Sequence, residues 1–192
     1  MLLLRFPLRF YIPLLIPPAA IAAVLFSLTR FYSPVFHPNF FPLGMAFGIP
    51  AGIVEEIGWT GFAFPRMHRC LGPFKAAILL GLLWGLWHLP VVNFLGVATP
   101  HGRYWLPYFL AFTFAMSAIR ILICWLYTRT GSVALAQLFH ISSTGALVVL
   151  SPPRVTPAHE TAWYALYGAV LWLGILAATR RLNPGENSVT TR

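Results

Sequence analysis

Glu55 and Glu56 stand side by side in a stretch that is almost wholly apolar from Phe40 to Phe64. They are half of the four acidic residues in the chain, which has no Asp. A carboxylate in hydrocarbon is costly unless it is paired, protonated or wetted, so an ionisable residue at that depth marks a functional site by default. Two imidazoles sit in similar surroundings: His88, within Leu83-Trp84-Gly85-Leu86-Trp87-His88-Leu89-Pro90, and His140, followed by Ser143 and Thr144. Two carboxylates and two imidazoles away from bulk water suit hydrolysis. A Glu takes a proton from a water held between it and His88, and a neutral His or a hydroxyl donor stabilises the oxyanion. In the metal version, Glu55, His88 and His140 are the three protein ligands of a catalytic zinc. Spacing alone leaves both open. There is no His-Glu-x-x-His, and no Gly-x-Ser-x-Gly for a serine mechanism.

Composition says what must position these groups. The 192 residues are 58% hydrophobic and 9% charged, with a mean hydropathy of +0.75. Soluble domains carry about 25% charged residues. An integral membrane protein follows: an all-α, polytopic helical bundle. Apolar runs of about twenty residues can span a bilayer as helices. Six are present, at roughly 11–28, 41–62, 76–97, 106–127, 132–150 and 162–179. Pro17 and Pro18 are expected to kink the first. Arg5 and Arg9 precede it without a clear small-residue cleavage site, so it reads as a retained anchor. The polar segment 183–192 reads as a disordered tail.

The net charge of +9 does not point to nucleic acid, because acids are nearly absent and the basic residues lie scattered at segment ends. Such positions suit orientation and lipid headgroups. With the N-terminus in the cytoplasm, nine Lys or Arg fall on that side and three outside, at Arg30, Arg103 and Arg154. Both termini are therefore placed inside, with the plasma membrane as the location. Arg120 is the thirteenth and lies within the fourth span. Cys70 and Cys124 have no metal spacing and no disulfide framework, and Cys124 reads as a small core residue.

Depth, counted at about 1.5 Å per residue, brings the polar groups together. Glu55 and Glu56 lie six or seven residues from the cytoplasmic end of the second span, His140 about eight from that of the fifth, and His88 about twelve from that of the third. Gln137, His140 and Thr144 form one stripe of the fifth span, although Gln137 and Thr144 could each simply bond a backbone carbonyl. Trp84 and His88 share a face of the third span, with Trp84 and Trp87 read as packing. Glycines at 48, 52, 58, 61, 81 and 85 suggest that the second and third spans approach closely.

This pattern resembles the CPBP intramembrane proteases, also called the ABI or type II CAAX-prenyl-protease family. The family motif Glu-Glu-x-x-x-Arg is matched by Glu55-Glu56-Ile57-Gly58-Trp59-Thr60. Phe-x-x-x-His resembles Trp84-Gly85-Leu86-Trp87-His88, and His-x-x-x-Asn resembles His140-Ile141-Ser142-Ser143-Thr144. Tyr127-Thr128-Arg129-Thr130-Gly131-Ser132 is also family-like. The resemblance implies a protease core at 41–150, flanked by an anchor helix and loop at 1–40 and a last helix and tail at 151–192. It implies Glu55 as the base that activates water, aided by His88. His140 and Thr144 would form the oxyanion side, and Glu56 would support the site. No cofactor is expected, with zinc the alternative, and the substrate is a membrane-associated, prenylated protein or peptide.

Three positions depart from the family pattern: Thr60 for Arg, Trp84 for Phe and Thr144 for Asn. Arg120 lies at the depth of Glu56 and either supplies the missing cation or snorkels to the surface. A protease is therefore one reading. Another is a catalytically impaired relative that serves as a membrane binding or immunity protein. A third, a proton-relay transporter, is disfavoured by the lack of internal repeats.

Overall fold

The computed structural model describes residues 6–90 and 101–182. Among them, every regular element is helical. Helix α1 (Ile16–Phe31) follows two 3-10 turns, Leu8–Phe10 and Ile12–Leu15. Helix α2 (Met45–Gly58) runs through a π turn, Trp59–Ala63, straight into α3 (Phe64–Leu71). Gly72, with φ at 75°, separates this rod from α4 (Pro73–Trp87). Helices α5 (Trp105–Thr130), α6 (Val133–Leu150) and α7 (Pro157–Leu182) complete the bundle.

Pro17 and Pro18 are not interior to a regular α-helix, as the expected kink required. They fall in the opening turn of α1, where their missing N–H groups would have had no intrahelical partner. Among the described residues, four helical stretches are long and apolar enough to cross a bilayer: Leu8–Phe31, Gly102–Thr130, Val133–Leu150 and Pro157–Thr179. The expected span at 41–62 is instead part of the longer rod over 45–71. The span expected at 76–97 is represented by α4, and its residues 91–97 lie outside the described residues, as does the tail at 183–192.

Helix α5 is the axis of the bundle. Residues 115–121 are all buried, so the helix is enclosed on every side there. It packs on α4, α7 and α6, while α2 packs on α6 and α1 on both α6 and α7. The α5–α6 turn needs only two residues. Gly131 ends α5 in the left-handed region at φ 63°, and the Ser132 hydroxyl accepts from Leu135 N–H at 3.2 Å to cap α6. Ile49, Ile53, Val54 and Ile57 leave α2 outward and exposed, as a lipid-facing surface requires. Cys124 is buried, and both cysteines are free.

The glycines bring together helices other than those expected. Gly48 and Gly52 meet α6, not α4: a Cβ on Gly48 would lie 2.8 Å from Gly145 N and from Ile141 O, and one on Gly52 would lie 2.9 Å from Gln137 O. Gly81 and Gly85 of α4 meet Ser117 and Thr113 of α5. Small residues four apart let membrane helices touch backbone to backbone. Gly52→Ala should therefore force α2 and α6 apart at a cost of about 1–3 kcal/mol, read as a lower unfolding temperature in detergent. A Cβ on Gly58 would meet nothing within 4 Å, so Gly58→Ala should unfold no earlier than the parent chain.

Candidate active site

Adjacent helical residues point about 100° apart, and the two glutamates diverge accordingly. Glu56 turns into the bundle and is 0% exposed. Its Oε2 accepts from Arg120 Nη1 at 2.8 Å and from the Thr60 hydroxyl, and its Oε1 accepts from His140 Nδ1 at 2.7 Å. A carboxylate only accepts, so Nδ1 of His140 carries the proton. Arg120, on α5, is also 0% exposed, and its Nη1 reaches Thr60 Oγ1 at 3.4 Å. It does not snorkel: the cation stays beside Glu56. Thr60 lies in the π turn, four residues after Glu56, and both remain on the buried face.

Glu55 faces α4 and is half-buried. Its Oε2 accepts from the indole Nε1–H of Trp84 at 2.8 Å. Trp84 is itself buried and touches Glu55, His88, His140 and Arg120. Its carbonyl accepts from His88 Nδ1 at 2.7 Å, which leaves Nε2 of His88 as a lone-pair atom when the ring is neutral. Its ring meets those of His88 and His140 edge to face, at 5.1 and 5.0 Å between centroids. The Arg120 guanidinium lies 4.2 Å from the indole centroid. That stacking gives the guanidinium a cation–π partner where its Nε and Nη2 find no hydrogen-bond acceptor among the described residues.

Glu55, Glu56, His88 and His140 are thus assembled from α2, the end of α4 and α6 around one indole. Thr144 lies one turn beyond His140, half-buried, and makes no side-chain hydrogen bond among the described residues. Gln137 belongs to the scaffold, since its Nε2 donates to the Ile53 carbonyl at 2.8 Å. Ser143 bonds back to the His140 carbonyl at 2.9 Å. Trp84 was read from sequence as packing. The signal of its role was its residue type, because an indole carries a donor that a phenyl ring lacks.

Among the described residues, no three His, Cys or Glu side chains are grouped to hold a metal ion. The donor Nδ1 atoms of both histidines are committed to protein acceptors.

The Glu56–Arg120 pair is the electrostatic keystone. Removing one partner of a buried pair strands the other charge, at about 3–5 kcal/mol. Arg120→Ala should lower the unfolding temperature in detergent accordingly, and adding Thr60→Arg in that background should recover part of the loss. A pair that contributes nothing would leave the single variant unchanged.

Comparison with known proteins gives two matches. The chain is 32% identical over 127 residues to a protein of Methanococcus maripaludis named CAAX prenyl protease 2, and the match covers 64% of this chain and 46% of that one. The chain thus spans about half the length of the relative it matches. Residues 37–145 match the family model for Rce1-like, type II CAAX prenyl endopeptidases. That segment holds Glu55, Glu56, Thr60, Trp84, His88, Arg120, His140 and Thr144. On that match, the chain belongs to the Rce1-like family of type II CAAX prenyl endopeptidases.

Proposed function

We propose that the protein is an intramembrane endopeptidase of the glutamate type. It hydrolyses a peptide bond of a membrane-associated, prenylated substrate, with Glu55 as the base. One observation carries this reading: both oxygens of Glu56 are engaged by Arg120, Thr60 and His140, while the less buried Glu55 is bonded through Oε2 to Trp84. Glu56 is thereby a holder of cations, and Glu55 is the carboxylate left to accept a proton.

In the proposed cycle, Glu55 takes a proton from water, oriented in part by Nε2 of His88, as the oxygen attacks the carbonyl carbon. The oxyanion of the tetrahedral intermediate is met by the Thr144 hydroxyl and, when the ring carries both protons, by Nε2 of His140, whose Nδ1 is held by Glu56. The C–N bond then breaks, and protonated Glu55 delivers its proton to the leaving amine. The products are a carboxylic acid and an amine, between which a proton then passes to give carboxylate and ammonium, and Glu55 is regenerated. Arg120 and Glu56 keep the site's charge fixed through the cycle. No step draws on a metal ion. The protein is placed in the plasma membrane with both termini in the cytoplasm, in accord with the nine-to-three distribution of basic residues.

Glu55→Gln keeps the volume and removes the base. Cleavage of a prenylated reporter peptide should fall by about 10²–10⁴ with an unchanged unfolding temperature. Chelators should leave the parent rate unaltered. A parent chain that binds the peptide without cleaving it would make this member a binding protein. Trp84→Phe keeps the ring under Arg120 and deletes only the donor to Glu55. It should lower kcat by about tenfold to a hundredfold, the scale of one hydrogen bond to a charged group, with KM little changed. An unaltered kcat would return Trp84 to packing alone.

A further inference from the structure

A groove of about 680 Å³ opens between α1, α4, α5 and α7. Ile121, Trp125 and Arg129 mark its strip along α5, and Leu171, Ile175 and Thr179 its strip along α7. Each strip covers eight residue steps, roughly 12 Å of helix rise. The strip on α5 is centred about 120° of helical rotation from Arg120, so the groove faces away from the glutamates. Its walls are apolar except at one end, where Thr128, Arg129 and Thr179 gather. Gly174 lines it, and a Cβ there would meet nothing within 4 Å, so the space beside it is open.

A second cavity, about 740 Å³, adjoins that polar end and is lined by Pro65, Arg66, His68, Arg69, Gly72 and Tyr127. The two are neighbours along the chain: Phe64, Pro73 and Thr128 line the groove, and Pro65, Gly72 and Tyr127 the basic cavity. Among the described residues, no acidic side chain lines either one. Arg66 spends one donor on the Phe62 carbonyl at 2.9 Å and stacks on that ring. Its remaining donors are not committed to that bond. Arg129 lies over the Trp125 ring at 5.8 Å, at the mouth of the groove.

An apolar slot with one polar end, whose charged groups are all basic, has the polarity of a single lipid. We propose that the two cavities form one site for an anionic phospholipid, with an acyl chain in the groove and the phosphate on Arg66, Arg69 and Arg129. Basic residues at a bilayer surface select acidic headgroups through charge, and an arginine fork binds phosphate through paired N–H donors. The slot, rather than the charge alone, distinguishes this site from the general lipid contact around the bundle. It does not depend on the proteolytic reading, since none of its residues belongs to the glutamate group.

The full chain, purified and delipidated in detergent, would be titrated with phosphatidylglycerol or phosphatidylcholine of matched acyl chains and examined by native mass spectrometry and thermal unfolding. Phosphatidylglycerol should persist as a one-to-one adduct under activation that strips phosphatidylcholine, and should raise the unfolding temperature. Gly174→Leu, which fills the slot, should abolish the adduct, as should Ala178→Leu on the exposed rim. Replacing Arg69 and Arg129 with Gln should erase the headgroup preference. Equal retention of the two lipids, or an adduct that survives both filling variants, would overturn the proposal. So would displacement of the adduct by a farnesylated peptide, which would assign the groove to the tail of a substrate.

Discussion

A carboxylate and a guanidinium, both fully withdrawn from solvent, meet at 2.8 Å between α2 and α5. Most of the local architecture answers to that contact. Each ion alone would be prohibitively costly to bury, and together they are tolerable where neighbouring groups stabilise both charges further. Thr60 and His140 complete the carboxylate, and the Trp84 face covers the guanidinium. The pair therefore recruits one side chain from each of the π turn, α4 and α6. It converts an otherwise non-directional apolar bundle into one with a specified arrangement.

The division of labour between adjacent glutamates is a product of helical geometry. Consecutive residues cannot face the same neighbour, so Glu56 meets α5 and α6 while Glu55 meets α4. Trp84 joins the two halves. Its indole N–H holds one carboxylate, its π face carries the cation that holds the other, and its carbonyl sets the tautomer of His88. Orientation is thus delivered by a rigid, buried ring rather than by a chain of flexible polar side chains, which suits a site that must keep its geometry in a low-dielectric setting.

Much of this was legible in the sequence, for identifiable reasons. Charged residues in hydrocarbon are rare enough that Glu55, Glu56 and Arg120 drew attention by position alone, and counting the rise per residue put Arg120 level with Glu56. Other features were not legible. Periodicity says that Gly48 and Gly52 share a face, but not that α6 rather than α4 covers it, because neighbour choice depends on the whole packing. Pro17 and Pro18 looked like interior residues because the start of α1 was drawn too early, at 11 rather than at Ile16. Thr144 was matched through its spacing from His140, and spacing does not supply a bonding partner. The 2.9 Å contact between His101 and Glu160 joins residues 59 positions apart and left no local pattern to read.

The rod over 45–71 buries Gly48, Gly52, Glu56, Thr60 and Phe64, a strict repeat of four. In a regular α-helix such a repeat drifts about 40° at every step and would wind off the contact face within a few turns. The wider turn at Trp59–Ala63 absorbs that drift, so one line of side chains stays in register along the whole rod. The chain thereby encodes an angle in its local pitch. A deletion of Gly61 would leave every named contact partner in the sequence, yet it would rotate α3 by about 100° relative to α2. The basic end of the rod, at Arg66 and Arg69, would then no longer face the start of α4. Helical phase, rather than any side chain, is the quantity that keeps the ionic centre and the bilayer-facing end of this rod in a fixed mutual orientation.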